Sequence, residues 1–144
     1  MPGSTLEQQR AQNAWQCVTG LATQTDNTDQ RRYNTAADDY AREAKKLPIR
    51  IMTSGLGQAL AFIKAKAAGD KKDGLTKLNA HLGQWVIGRR LSYLVDGNAN
   101  NDLLVTLMNQ NALFLRLATE ETIAWLAWLN RLAEAEGLPS NQND

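Results

Sequence analysis

Few residues in this chain could do chemistry. There is a single histidine, His81, a single cysteine, Cys17, and a carboxylate, Glu121, that shares helical spacing with Leu117, Ala124 and Trp128. A lone histidine with no Cys, His or carboxylate at ligand spacing is poorly equipped to bind metal or relay protons. Between Leu78 and Trp85, His81 sits at the edge of an apolar stripe and reads as structural. Cys17 has no disulfide partner, and Met1-Pro2-Gly3 does not open a signal peptide, so a reducing, cytoplasmic setting is expected. Glu121 lies on an apolar face, where a buried carboxylate needs a partner; an arginine or a backbone amide in another helix is the expected one. The rival reading, a catalytic acid working with Arg116 or His81, lacks a second carboxylate or nucleophile placed beside it. Two glycine segments invite comparison with phosphate loops. Gly55-Leu56-Gly57 has no third glycine and no strand before it, and Gly83 to Arg90 carries two arginines where Lys-Ser/Thr should stand. No paired carboxylates, Cys/His cluster, HExxH or nucleophile elbow is present. The expectation is a protein with no catalytic residues, metal site or cofactor.

What remains is charge. The chain carries 16 Lys+Arg against 15 Asp+Glu, but residues 30–90 net +8, residues 1–29 net −2 and residues 91–144 net −5. A basic block between acidic ends suits a subunit that touches nucleic acid with one side and protein with another.

The elements that must position these groups are helices. The 144 residues are one domain's worth, residues 1–144, with 1–4 and 138–144 expected to fray. Strand alternation and hairpin dipeptides are nearly absent, and no apolar run approaches the roughly 18 residues that span a membrane. Ser4-Thr5-Leu6-Glu7 has the form of a capping box. The first helix then buries Ala11, Ala14, Trp15, Val18, Leu21 and Ala22, and ends near Gly20. A polar loop, 23–28, precedes a second helix from about Asp29 to Leu47 with Tyr33, Ala36, Ala37, Tyr40, Ala44 and Leu47 on one stripe. Pro48 lacks an N–H and should end or kink it. The next helix runs to about Ala68 with Leu56, Ala59, Leu60, Ile63 and Ala67 inward. Ser54, Gly57, Ala61 and Ala65 form a second, small-residue face where another backbone could approach. After the charged turn 69–74, a fourth helix buries Leu75, Leu78, Leu82, Trp85 and Val86 and leaves Arg89 and Arg90 wet. Asp102 caps a short helix, 103–108. The last helix, about Ala112 to Glu136, is apolar over most of its circumference, with Leu113, Trp125 and Trp128 inward and Asn130 on the narrow exposed side. The fold class is all-α: a bundle of about six helices with a kinked central helix at Pro48, in which Pro48, Gly55, Gly57, Glu121, Trp125 and Trp128 are structural.

The segment from Lys45-Lys46-Leu47-Pro48-Ile49-Arg50 through Gly55-Leu56-Gly57-Gln58-Ala59-Leu60-Ala61-Phe62 resembles the signature of the small all-helical subunit of the Cmr complex, the type III-B CRISPR RAMP module. Leu117-Ala118-Thr119-Glu120-Glu121 followed by Trp125-Leu126-Ala127-Trp128-Leu129 is similar to that family's C-terminal pattern, and Leu6-Glu7-Gln8-Gln9-Arg10-Ala11 is a weaker match. The resemblance spans about residues 5–136.

This resemblance implies a non-catalytic subunit of an RNA-guided antiviral effector, stacked as a short filament beside the backbone RAMP subunits and the large subunit. Its RNA partners would be guide RNA and target RNA, with cleavage residues on the backbone subunits. Contact with phosphates would need Lys or Arg on one continuous face. The candidates are Arg42, Lys45, Lys46 and Arg50 around Pro48, then Lys64, Lys66, Lys71 and Lys72, with Arg89 and Arg90 in reserve. No aromatic residue is expected to interleave them, so no base-stacking platform is expected. Acidic Glu120, Glu134 and Glu136 would meet a neighbour's basic face in head-to-tail stacking. The alternative is a free-standing helical nucleic-acid-binding or regulatory protein, weakened by the absence of a helix-turn-helix pattern.

Overall fold

The computed structural model describes the backbone of residues 3–23, 30–70, 72–96 and 101–139, and the side chains of these except 22–35. The expected loop at 24–28, Lys71 and the middle of the turn at 97–100 lie outside the described residues, as do the side chains of Ala22 and Tyr33. Among the described residues there are six α-helices: α1 (Leu6–Thr23), α2 (Gln30–Ser54), α3 (Leu56–Asp70), α4 (Asp73–Gly83), α5 (Leu103–Met108) and α6 (Ala112–Ala135). A π-helical segment, Gln84–Arg90, prolongs α4, and a short 3-10 turn, Ser92–Leu94, follows it. No strand occurs among the described residues.

The capping box closes one residue later than Ser4/Glu7. Thr5 Oγ1 accepts from the Gln8 N–H at 3.1 Å and Gln8 Oε1 accepts from the Thr5 N–H at 2.8 Å. That leaves Glu7 to accept from Arg10 and from Trp128 Nε1. Helix α1 continues through Gly20 and packs on α6. Its Trp15 is 41% exposed instead of inward, because Ala14, Val18 and Leu21 already define the buried stripe.

Helix α2 does not stop at Leu47. It runs through Pro48 to Ser54. Proline cannot donate to the carbonyl four residues back, which here belongs to buried Ala44. The Asn130 side-chain amide of α6 donates to that oxygen at 3.0 Å. The expected break at Pro48 is thus bridged by a tertiary hydrogen bond, and Asn130 is half-buried instead of exposed. The chain breaks at Gly55, whose φ of +87° suits glycine.

Helix α2 contacts α3, α4 and α6, and α3 also contacts α4 and α5. Leu56, Ala59, Leu60 and Ile63 are buried on α3 as their spacing predicts, with Ala67 packed against the core. Among the described residues the small-residue face carries no close neighbour: Ser54, Ala61 and Ala65 are exposed, and a Cβ at Gly57 would meet nothing within 4 Å. Close approach occurs on α4 instead. A Cβ at Gly74 would lie 2.2 Å from the Ala36 carbonyl oxygen of α2, and one at Gly83 would lie 1.7 Å from the Asn101 carbonyl oxygen.

Trp85, Val86 and Ile87 are all buried. Three successive inward residues do not fit an α-helical stripe, and the wider π turn, closed by the Leu91 N–H donating to Val86 O at 2.8 Å, accommodates them. Asp102 caps α5, accepting from the Val105 N–H at 3.0 Å, and Asn111 caps α6 by accepting from Phe114. Trp125 and Phe114 are core residues of α6, whereas Leu113 is 51% exposed. Past α6, Leu138 packs against the core.

Candidate nucleic-acid interface

The basic block folds onto α2, α3 and α4, and the structure divides its cations by what holds them. Glu43 is 2% exposed. It stands three residues after Tyr40 and four before Leu47, on the buried side of α2. A carboxylate there needs cationic partners, and it has two: Arg50 from its own helix and Lys66 from α3, the latter at 3.3 Å. Both cations also face Phe62, with the Arg50 guanidinium carbon 4.0 Å and Lys66 Nζ 5.7 Å from the ring centroid. Phe62 is 44% exposed. An aromatic therefore does interleave the cations, contrary to the expectation from sequence. Lys66 stands four residues after Phe62 on α3, a spacing visible in the sequence, whereas Arg50 reaches the ring from α2 through the packing of the two helices.

Lys64 Nζ is 2.6 Å from Asp102, and burial, which pushes that carboxyl up, is outweighed by Lys64 and the Val105 N–H, so Asp102 sits below the usual carboxylate range. Asp39 draws Arg42 to 3.6 Å and Lys72 to 3.9 Å. Lys45 and Lys46 are exposed on the side of α2 opposite the buried Tyr40, Ala44, Leu47 and Ile51, alongside exposed Ile49 and Met52. The candidates thus form a paired set around α3 and an open set on α2.

Arg89 and Arg90 part company at the π segment. Arg89 is exposed, its guanidinium 5.5 Å from the Trp85 ring centroid. Arg90 turns inward to Glu121, with Nε at 3.1 Å from Oε1. Glu121 also accepts two bonds from Arg10 of α1, at 2.7 and 2.9 Å, and one from Trp85 Nε1 at 3.1 Å. Burial pushes its carboxyl up, and the bonds from Arg10, Trp85 and Arg90 more than offset this, leaving it below the usual carboxylate range. The arginine expected from another helix is Arg10, and Arg90 is a second. This carboxylate joins α1, the π segment and α6, and each of its oxygens is engaged by arginine.

His81 Nδ1 lies 2.7 Å from the Tyr40 hydroxyl in an edge-on ring contact. Burial, with Lys77 nearby, pushes the imidazole below its ordinary value, and burial raises Tyr40 well above its own. Burial also pushes the Cys17 thiol up to about 11, which disfavours the reactive thiolate. Trp125 and Trp128 donate to Asn13 and Glu7 of α1, at 2.9 and 2.8 Å.

A family model described as CRISPR-associated protein (Cas_Cmr5) matches residues 6–136. The chain belongs to the Cmr5 family. Cmr5 proteins are a small subunit of the type III-B CRISPR Cmr complex. The match begins on the first residue of α1 and ends on Glu136, the C-cap of α6, so it takes in the whole helical body. The fold is similar to the X-ray crystal structure of a CRISPR-associated Cmr5 family protein from Thermus thermophilus. The two share 27% identity with a TM-score of 0.66, over 92% of this chain and 97% of that one.

Sequence reasoning gave Glu43 and Phe62 no role in the basic face and placed Asn130 on the exposed side. Glu43 had the signal that exposed Glu121, a carboxylate at apolar-face spacing. Phe62 had a partial signal, Lys66 four residues on in the same helix, whereas its Arg50 partner and the Ala44 partner of Asn130 lie on other helices.

Proposed function

We propose that this Cmr5 protein is a non-catalytic subunit that stacks beside the backbone RAMP subunits and helps hold guide and target RNA through a basic face. It works in the cytoplasm as part of an antiviral ribonucleoprotein. The observation that carries the reading is the outer face of α2, where Lys45 and Lys46 stand exposed with no ion pair among the described residues. Arg50 and Lys66 stand at the neighbouring corner with α3, and Arg89 supplies a further exposed cation on the π segment. Lys45, Lys46 and Arg89 pair with no carboxylate among the described residues, and Arg50 and Lys66 share the single charge of Glu43. The face thus keeps net positive charge for phosphate, a contribution that is salt-dependent and indifferent to sequence. That indifference suits a subunit whose guide sequence varies. Glu120, Glu134 and Glu136 are exposed along and just past α6, an acidic surface that complements the basic one in head-to-tail stacking.

The test is affinity capture of the untagged protein from its own cells, with sequencing of bound RNA, for wild type and for Lys45→Glu/Lys46→Glu. Recovery with RAMP-type subunits and short guides, with RNA retention in the variant lost at lower salt, is expected. Recovery alone and free of RNA at low salt would overturn the reading, as would a variant with unchanged salt sensitivity.

A further inference from the structure

Resting on that reading of the basic face, we propose that Phe62, with Arg50 and Lys66, forms a stacking site for an unpaired nucleobase of single-stranded RNA. Three observations support it. Phe62 is 44% exposed, as Trp15 and Tyr93 are at 41% and 74%, and unlike those two it has, among the described residues, two cations, Arg50 and Lys66, over its ring. Its neighbours along the outer side of α3, Ala61 and Ala65, are exposed and too small to shield the ring. The guanidinium carbon of Arg50 already lies 4.0 Å over the ring centroid, a cation–π contact to which a base can add.

The two cations are held in place from beneath. Glu43, 2% exposed, binds both Arg50 and Lys66, so their ordering is completed on folding instead of on binding. One carboxylate offsets only one of two positive charges. The cluster stays net positive beside an exposed aromatic face, with Lys45 and Lys46 on the adjoining helix. An acidic partner is favoured by that charge, and an aromatic–guanidinium pair favours one with flat π faces; single-stranded RNA has both. Phenylalanine offers no hydrogen bond to a base edge, so the contact accepts any base. A continuous duplex keeps its bases stacked on each other and has none to offer, so the site selects the unpaired part of the RNA. Glu43 is a positioning residue here, acting through Arg50 and Lys66.

The experiment uses the reconstituted assembly and fluorescence anisotropy, with labelled oligouridine and a blunt RNA duplex as probes across a salt series. Phe62→Leu keeps the apolar bulk and removes the π face. It is expected to weaken oligouridine binding about 5- to 150-fold, the range for losing one base–aromatic stack, while duplex binding and the salt slope stay unchanged. Arg50→Gln is expected to lower the single-strand salt slope by about 0.7. With the wild-type protein, 2-aminopurine in the single strand is expected to be quenched on binding, a readout independent of any variant's folding. If wild type binds oligouridine but Phe62→Leu matches it and 2-aminopurine is unquenched, the stacking site is overturned and the basic face stands. If Phe62→Leu instead loses neighbouring subunits with RNA affinity intact, the surface is a protein contact and the proposal fails. Absence of any RNA binding by the wild-type assembly would overturn the basic-face reading itself.

Discussion

Replacing Asn130 by alanine removes the donor that the Ala44 carbonyl receives in place of the N–H missing from Pro48. Ala44 is 1% exposed, so water does not substitute, and an orphaned buried acceptor costs about 1–3 kcal/mol. Pro48→Ala restores an N–H facing the Ala44 oxygen four residues back. In that background Asn130→Ala is expected to cost about 0.5 kcal/mol or less, as for a substitution with no such mechanism. The double-mutant cycle should therefore show coupling of about 0.5–3 kcal/mol. Urea unfolding of the full chain, followed by far-UV circular dichroism and tryptophan fluorescence with the m-value checked for constancy, measures it. Thermal unfolding gives a parallel reading of about 2–4 °C per kcal/mol for a chain near this size. If the two substitutions add within about 0.3–0.5 kcal/mol, Asn130 does not compensate for the proline and the bridging argument is refuted.

Glu121→Gln is expected to cost about 3 kcal/mol at neutral pH, since it leaves Arg10 and Arg90 facing an uncharged group. The folded carboxyl lies below its ordinary value of 4.5, so its contribution is present above that pH and is lost as pH falls through the folded value. The gap between wild type and variant should narrow on acidification below 4.5, and a gap constant from neutral pH into the acid range would contradict the assignment. His81 lies below its ordinary 6.5, so an NMR titration of its ring should show a midpoint under that value, with stability falling as pH drops through 6.5; a midpoint at or above 6.5 would be inconsistent. Gly74→Ala should destabilise by at least about 1–3 kcal/mol, because backbone atoms of Ala36 and Tyr40 stand 2.2 and 2.9 Å from the new Cβ. Gly57→Ala meets open space and should stabilise by about 0.4–1 kcal/mol. The opposite ranking in chemical denaturation would show that the α2–α4 contact is misplaced.

Periodicity and composition determined much of this protein. The all-α class, the buried stripe of α3, the Asp102 cap and the need of Glu121 for a partner, an arginine or a backbone amide, all depend on groups within a few turns of each other, or on a cost that holds wherever the side chain is buried. Local rules erred where a distant group altered the balance. Pro48 is a helix breaker until Asn130 supplies a donor from α6. Gly57 has the spacing of a helix contact, but Gly74 makes one, because whether a small face is covered depends on where other helices run. Arg89 and Arg90 read alike until the π turn sends one to the core and leaves the other outside. The tertiary structure alone decided which cations of the basic block are engaged internally and which stay exposed. It also placed Phe62 among them. Sequence fixes the number and spacing of charges, and pairs such as Glu43 with Arg50 lie on one helix. The distances of Lys66 to Glu43, Lys64 to Asp102 and Arg90 to Glu121, by contrast, join separate elements and exist only once the helices have packed.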